Sequence, residues 1–150
     1  MENKNYLKLN DIEAYKIAFH LSNYIWNIVI SWNHFAKETV GEQFVTATDS
    51  ISANIAEGFG RYHKKDKIKF YHYSFGSVKE CFDWNEKSKV RQLITIEQYN
   101  HIFSQLDLLP LKINSLIKFT NEKLTIQQYN NTTIQQYNNT TIQQYNNTTK

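Results

Sequence analysis

The chain has 150 residues, a length that fits one domain, and its 4 glycines and 1 proline leave few positions that would interrupt long helices. Its net charge of +3 is mild and does not demand a nucleic-acid partner, because strong nucleic-acid binders carry a denser basic face. The single cysteine, Cys81, excludes an internal disulfide and a cysteine-only zinc site, so we expect a small apolar residue on a helix.

The N-terminal part of the chain predicts a soluble protein that opens with a helix. Residues 1–10 are polar and lack the apolar region of a signal peptide, and the apolar-rich stretch 25–32 is too short to cross a bilayer. We therefore expect a cytoplasmic protein without a membrane partner. The first helix is predicted to begin near Asn10 or Asp11, either of which can cap it, and to end near Trp32.

Three further stretches repeat apolar residues at helical spacing. The second and third helices are predicted over about 38–61 and 65–92, and the fourth over about 95–117. The sequence TIEQ at 95–98 is typical of a capping box. Pro110 lies inside the fourth stretch, where it removes one backbone hydrogen bond, so we expect it to kink the helix or to split it in two.

The connections between these stretches are short, which favours antiparallel neighbours in the folded chain. The sequence therefore predicts an all-α fold, an antiparallel up-down-up-down four-helix bundle over residues 1–122. No stretch shows the sustained alternation of apolar and polar residues that is typical of strands.

Residues 123–150 are predicted to be a separate low-complexity tail. The octad TIQQYNNT occurs three times without change, at 125–132, 133–140 and 141–148. It holds no charge and only Ile and Tyr as apolar groups, so it cannot bury enough surface to offset the entropy of ordering it. Its period also drifts by roughly 80° per repeat on a helix of 3.6 residues per turn. We expect a disordered or weakly structured tail, and a regular solenoid is the alternative.

The second predicted helix carries short side chains on one face, and the third offers a match in Gly76 followed by Ser77. Small residues let another backbone approach closely, so we expect the two helices to cross near Asn54 and Gly76. The predicted helix-packing polar cluster at this crossing comprises Ser50, Asn54, Glu57, Gly58, Gly76, Ser77 and Glu80. A packing motif held by hydrogen bonds is one interpretation, and a ligand or partner site is the other.

Two segments, SISANIAEGFGR at 50–61 and FYHYSFGSVKE at 70–80, resemble the four helix bundle protein family. That family includes proteins encoded within intervening sequences of 23S ribosomal RNA genes, historically labelled as a ribosomal protein, and the accessory variability determinant of diversity-generating retroelements is a related member. The resemblance covers about residues 8–120. It implies an antiparallel bundle, assembly into a homopentameric ring, no known enzyme activity, and binding of nucleic acid or of a protein partner.

The chain departs from the family pattern at two basic positions. Val45 and Thr46 stand where members often have a basic pair, and Phe75 stands where many members have Arg before the Gly-Ser pair. Both departures remove positive charge and weaken the case for carrying RNA binding over from the family.

A basic run remains between the second and third helices. The candidate nucleic-acid-binding residues are Arg61, Lys64, Lys65, Lys67 and Lys69, with His63 beside them and Asp66 diluting them. If several copies gather in a ring, the run would repeat around one rim and could bind phosphates through counterion release. The alternative is a solvated turn whose lysine stems cover apolar neighbours.

No catalytic or metal-binding pattern stands out. A di-iron bundle needs two Glu-x-x-His motifs on facing helices, and the histidines do not lie in that frame. Cys81 has no evident His partner, and the chain contains neither a P-loop nor a glycine-rich dinucleotide turn. We therefore expect a protein that is not an enzyme and that needs neither a cofactor nor a metal.

The sequence favours a self-associating accessory module that binds RNA, DNA or a nucleic-acid-processing protein. The rival hypothesis is a protein-interaction or structural scaffold, because the aromatic residues exceed what one small core needs. The aromatic side chains that motivate it are Tyr24, Trp26, Trp32, Tyr71, Tyr73 and Trp84.

Overall fold

Among residues 7–148, which the computed structural model describes, the chain forms four long helices and no strand. Side chains are described over residues 7–123. The long helices are Glu13–Val29 (α1), Glu42–Gly60 (α2), Lys64–Val90 (α3) and Ile96–Thr148 (α4). The predicted all-α four-helix bundle is confirmed. None of these helices combines the length with the apolar character that crossing a bilayer requires within the described part of the chain.

Each helix is antiparallel to the next because the short turns reverse the chain. Side-chain pairs show this on α3 and α4, where Tyr99 donates a hydrogen bond to Glu86 and the rings of Phe82 and Phe103 meet edge to face. All four helices contribute to one apolar core, whose large, fully buried residues are Leu21, Ile25, Phe44, Ile51, Ile55, Tyr71, Val78, Ile102, Leu106, Leu109 and Ile113. Burial of these stripes is the main source of stability for helices of this kind.

The starts of the helices follow local sequence signals to different degrees. The capping box predicted at 95–98 is confirmed, since Thr95 Oγ1 accepts from the Gln98 amide at 3.1 Å and Gln98 Oε1 accepts from the Thr95 amide at 2.9 Å. At α1 the predicted side-chain cap is absent. A 3₁₀ turn, Leu9–Asp11, precedes the helix, and the Asp11 carboxylate accepts from the Lys8 amide within that turn.

The entry to α2 is irregular. A helical turn, His34–Ala36, is followed by a π-helical segment, Lys37–Gly41, before the regular helix begins at Glu42. Gly41 is buried against α1, and a Cβ there would lie 2.6 Å from Val29 Cγ1. A π-helix inserts one extra residue into a helical turn. Here this insertion turns Val40 and Gly41 toward the core, and the chain still reverses its direction between α1 and α2.

Pro110 does not split the fourth helix. The helix runs through it from Ile96, and the splitting outcome predicted for this residue is therefore wrong. Leu106, Leu109 and Ile113 on either side of the proline are fully buried, and their burial outweighs the roughly 3 kcal/mol that an interior proline costs a helix.

The backbone of α4 continues through the TIQQYNNT repeats to Thr148, but the side chains of the repeats lie outside the described residues. The prediction of a separate, weakly structured tail over 123–150 therefore stays a prediction.

Of the two glycines, Gly58 lies in close contact between α2 and α3, whereas Gly76 does not. A Cβ on Gly58 would lie 2.7 Å from Tyr71 Cε1 and 2.9 Å from the backbone oxygen of Lys67, whereas a Cβ on Gly76 would meet nothing within 4 Å. Farther along the crossing, Ser74 Oγ donates a buried hydrogen bond to the Ile51 carbonyl at 2.8 Å. The expected crossing at Gly76 is corrected accordingly, because Gly76 lies on the exposed side of α3.

These two glycines form a matched pair for mutagenesis. We expect Gly58→Ala to lower the free energy of unfolding by up to about 2 kcal/mol, because overpacking costs about 1–3 kcal/mol and the gain in helix propensity returns about 1 kcal/mol. Gly76→Ala should raise the free energy of unfolding by about 0.5–1 kcal/mol, since it gains propensity without a clash. Urea unfolding of both variants measures the difference, and equal effects at the two sites would contradict the close approach.

Candidate nucleic-acid interface

The five basic residues singled out from the sequence lie on the turn between α2 and α3, which we call the basic turn (residues 61–69). Arg61 follows the last residue of α2, and Lys64 is the first residue of α3. Because α2 ends and α3 begins here, the basic turn lies at one end of the bundle, opposite the end at which α3 passes into α4.

Arg61 is engaged within the chain. Its guanidinium pairs with the carboxylate of Glu57 one helical turn earlier, and it lies 4.6 Å from the ring centroid of Phe70. Both side chains of the ion pair are about half exposed, so the pair contributes little to stability. The arrangement nevertheless neutralises one of the five cations.

Lys67 is held more firmly than any other residue of the basic turn. Its Nζ donates a hydrogen bond to the carbonyl of Phe59 at 2.6 Å and lies 5.6 Å from the Phe59 ring centroid. That carbonyl is one of those that the end of α2 leaves without a partner in the helix, so Lys67 caps the helix from the next one. Partial burial lowers the pKa of Lys67.

The remaining lysines of the basic turn point outward to different extents. Lys65 is exposed, and Lys69 is exposed with its amine 5.8 Å from the ring centroid of Tyr73. Lys64 is half-buried, and its Nζ lies 3.5 Å from the carbonyl of Asn121 on α4. Lys65 and Lys69 are thus the cations that a phosphate can reach without disturbing a hydrogen bond of the fold.

Charge is concentrated at this end of the molecule. The basic turn holds five cations and one carboxylate, an excess of four positive charges, whereas the whole chain carries +3. The rest of the chain is therefore slightly acidic. An anionic polymer approaching the monomer is attracted to the basic turn within the roughly 8–10 Å over which surface charges act in physiological salt.

The predicted polar cluster does not form a shared hydrogen-bond network among the described side chains. Asn54 Nδ2 donates to the Ser50 carbonyl of its own helix, Glu57 pairs with Arg61, and Glu80 accepts from Trp84 on its own helix. Of the seven predicted residues, Gly58 performs the packing role. Of the others, Ser50, Asn54 and Ser77 are half-buried, and Glu57, Gly76 and Glu80 are exposed.

Buried polar groups lie elsewhere on α3. Thr48 Oγ1 and Cys81 Sγ are 3.4 Å apart in the core, and Asn85 Nδ2 donates to the Tyr99 carbonyl at 3.2 Å. The Oδ1 of Asn85 and the hydroxyl of Ser88 are fully buried without a protein partner. Sequence patterns did not indicate that these polar groups are buried, since a polar residue on an amphipathic helix is equally typical of the surface.

A second feature missed from the sequence is a groove at the opposite end of the bundle. The end groove, a cavity of about 710 Å³, lies between the π-helical segment and the turn that follows α3. Its lining is mostly apolar and includes Phe35, Val40, Trp84, Arg91 and Leu93. It could not be predicted from spacing because its two walls are about fifty residues apart in the chain.

The described residues contain no group of three or more His, Cys, Asp or Glu side chains placed to hold a metal ion. Burial raises the pKa of Cys81 to about 12, with the neighbouring Thr48 hydroxyl opposing the shift. The one thiol of the chain is therefore protonated and shielded at neutral pH.

Comparison with known proteins relates the chain to a protein family and to solved structures. The family described as 23S rRNA-intervening sequence protein matches residues 10–115. A solved protein of unknown function, from the S23 ribosomal protein family of Bacteroides thetaiotaomicron, is similar with a TM-score of 0.64 and 23% identity, covering 70% of this chain and 98% of its own. At that identity the similarity shows the fold alone. No curated protein matches the chain.

The capping role of Lys67 separates it from its neighbours in the basic turn. We expect Lys67→Met to lower the free energy of unfolding by about 1–3 kcal/mol, because a hydrogen bond from a charged donor is removed and a partly buried carbonyl is left unsatisfied. Lys65→Met, at an exposed position, should change it by less than about 0.5 kcal/mol. Denaturant unfolding compares the two, and equal stabilities would show that Lys67 does not cap α2.

The burial of Cys81 predicts slow thiol chemistry. At pH 8 we expect a disulfide reagent to label the native protein far more slowly than the urea-unfolded protein, because a thiol with a pKa of about 12 presents fewer than about one thiolate in a thousand. Absorbance of the released thiolate gives both rates. Comparable rates in the two states would contradict the burial.

Proposed function

The chain belongs to the 23S rRNA-intervening sequence protein family, and from this membership we propose that it is a non-enzymatic accessory module that self-associates and binds nucleic acid or nucleoprotein through the basic turn. The family description connects its members with intervening sequences in a ribosomal RNA gene. That connection makes structured RNA the first ligand to test.

The observation that carries the proposal is the excess of four positive charges at one end of a chain that is otherwise slightly acidic. Lys65 and Lys69 project from this end, and the ring of Tyr73 beside Lys69 is about half exposed. Exposed aromatic rings next to cations suit single-stranded nucleic acid, because bases stack on the ring while the cation meets the phosphate.

Self-association would multiply this modest charge. One chain offers few phosphate-binding cations, and the electrostatic attraction that they supply weakens as the salt concentration rises. Several copies with their basic turns on one rim would act together at high effective concentration. The family resemblance implies a homopentamer, which is the assembly we propose.

The non-enzymatic part of the proposal is supported by the state of the candidate nucleophile. Cys81 is buried and protonated, and its near polar neighbour is the Thr48 hydroxyl rather than a base. A thiol nucleophile needs an accessible site and a lowered pKa, and neither condition is met here.

A protein-interaction scaffold is the second candidate function, favoured by exposed aromatic side chains. Trp26 and Tyr73 are each about half exposed, while Tyr24, Trp32 and Trp84 are half-buried. Tyr71, which also motivated this hypothesis, is instead a core residue. A scaffold would keep its partners when the basic turn is neutralised, whereas a nucleic-acid module would release them.

We expect the protein to retard a structured RNA and a single-stranded DNA on native gels at low salt. Replacing Lys64, Lys65 and Lys69 together by Ala should weaken binding and reduce the dependence of log affinity on log salt by about one for each phosphate that is no longer neutralised. Lys67 is left in place because it caps α2.

The matched control replaces Lys37, Lys89 and Arg91 by Ala, which removes three exposed positive charges from the opposite half of the bundle. Its binding should equal that of the unchanged protein. Absence of binding at low salt, or an equal weakening in the control and in the basic-turn variant, would reject the proposed nucleic-acid role.

A further inference from the structure

Tyr62 is the most exposed large apolar side chain among the described residues. It is 90% exposed and lies in the bend between α2 and α3. On one side of it, the Arg61 amide donates to the Gly58 carbonyl at 3.2 Å. On the other side, the His63 carbonyl accepts from the Lys67 amide at 3.0 Å. The bend is therefore fixed at both ends, and the Tyr62 ring stands on a short, preorganised connection.

A single exposed aromatic residue is ordinary on a protein surface and carries no argument by itself. What distinguishes Tyr62 is the order of side chains that follows it on α3. Lys65, Lys69 and Tyr73 are all exposed and lie four residues apart, so they follow one another along the same face of the helix. We call Tyr62, Lys65, Lys69 and Tyr73 the Tyr–Lys row.

The two lysines of the Tyr–Lys row are accessible to an anion. Neither Lys65 nor Lys69 forms an ion pair with a described side chain, and the Lys69 amine lies 5.8 Å from the ring centroid of Tyr73. Asp66 stands next to Lys65 and three residues before Lys69, so it offsets one charge here. The basic turn keeps its excess of four positive charges with Asp66 counted.

Both rings of the row have a face within reach of a flat partner. Tyr62 keeps its 90% exposure although the ring of His63 meets it edge to face, with the centroids 5.1 Å apart. Tyr73 is 48% exposed, and its contact with the Phe70 ring is likewise edge to face at 5.4 Å. Cations thus lie between two exposed aromatic rings.

The length of the Tyr–Lys row suits a short stretch of a single strand. From Lys65 to Tyr73 the helix rises by about 12 Å, at about 1.5 Å per residue. Stacked nucleotides of one strand follow each other at about 3.4 Å, so this length corresponds to about three or four nucleotides. Phosphates can lie on the lysines while bases at the ends of the stretch lie on the rings.

We propose that the Tyr–Lys row binds unpaired nucleotides, with bases stacked on Tyr62 and Tyr73 and phosphates on Lys65 and Lys69. The proposal rests on the nucleic-acid binding in the proposed function, and it names the form of nucleic acid that the basic turn selects. In a duplex the base faces are covered by their neighbours, so the phosphates alone reach the row. An unpaired strand brings phosphates and base faces, and each stacked base adds affinity.

A single strand is favoured over a protein partner by the lysines of the row. Lysine is depleted at the centres of protein interfaces, whereas surfaces that bind single strands combine cations with aromatic rings. Tyrosine suits both kinds of partner. Lys65 and Lys69, placed between the two tyrosines, therefore decide between them.

Fluorescence anisotropy of the full chain with three labelled probes tests the proposal. The probes are an oligothymidylate, a fully paired DNA duplex of equal length, and an abasic DNA strand, which has the phosphates without the bases. We expect the oligothymidylate to bind more tightly than the abasic strand. Tyr62→Ala should weaken binding of the oligothymidylate about fivefold or more, because one stacked base is lost, and should leave the duplex and the abasic strand unchanged.

Three further variants show whether the ring itself is responsible. Tyr62→Phe keeps the ring and should bind like the unchanged protein, whereas Tyr62→Leu keeps apolar surface without a ring face and should bind as weakly as Tyr62→Ala. Phe35→Ala is the matched control, because Phe35 is 78% exposed at the opposite end of the bundle and should leave all three affinities unchanged. Circular dichroism checks that each variant keeps its helix content. An oligothymidylate affinity that Tyr62→Ala leaves unchanged, or that Phe35→Ala lowers equally, overturns the proposal.

The salt dependence separates this proposal from the proposed function. Stacking releases no counterions, so Tyr62→Ala should leave the slope of log affinity against log salt unchanged. Replacing Lys65 and Lys69 together by Ala should reduce that slope by about 1.4 for a single strand, at about 0.7 for each phosphate. If no probe binds at low salt, the proposed function fails. If the two lysines support binding of all three probes alike and Tyr62→Ala changes none of them, the selection of unpaired nucleotides alone is wrong.

Discussion

At Gly58 the space that a Cβ would need is already occupied by the Tyr71 ring and by the backbone oxygen of Lys67. Backbone cannot move aside as the tip of a long side chain can, so α2 and α3 are held at a separation that only glycine permits. The carbonyl of Ile51 and the hydroxyl of Ser74 fix the two helices again two turns away. These contacts hold α2 against α3, and α1 packs against α2 while α4 packs against α3.

The close approach of α2 and α3 decides which cations of the basic turn bond within the chain. Because α3 comes so close to the end of α2, Lys67 reaches back to the Phe59 carbonyl and becomes part of the fold. Arg61 is drawn to Glu57 and Phe70 in the same way. The five cations of the basic turn thus divide into those that stabilise the helix junction and those, chiefly Lys65 and Lys69, that stay available. The folded chain therefore offers a ligand fewer available cations than the five that the sequence of the basic turn contains.

Features whose partners are close together in the chain could be predicted from the sequence. The helix face on which a residue lies, and the element it therefore contacts, could not. The capping box at 95–98 was predicted because its partners are three residues apart, and the four helices were predicted from their periodic stripes. Gly58 and Gly76 look alike in sequence, yet only one faces a partner helix. Pro110 was judged by backbone chemistry alone, although buried leucines on both sides carry the helix across it. The end groove joins walls distant in sequence, so no local pattern indicates it.

The two ends of the bundle differ in chemistry, since one carries the basic turn and the other the mostly apolar end groove. In a cyclic assembly equivalent residues lie at one height along the axis, so the basic turns of all copies form a single rim. Each added copy brings an excess of four positive charges to that rim, whereas the acidic remainder of the chain is spread over the body of the ring. The self-repulsion among the basic turns opposes closure, and a polyanion laid across them relieves it. Assembly and nucleic-acid binding would therefore strengthen each other by linkage.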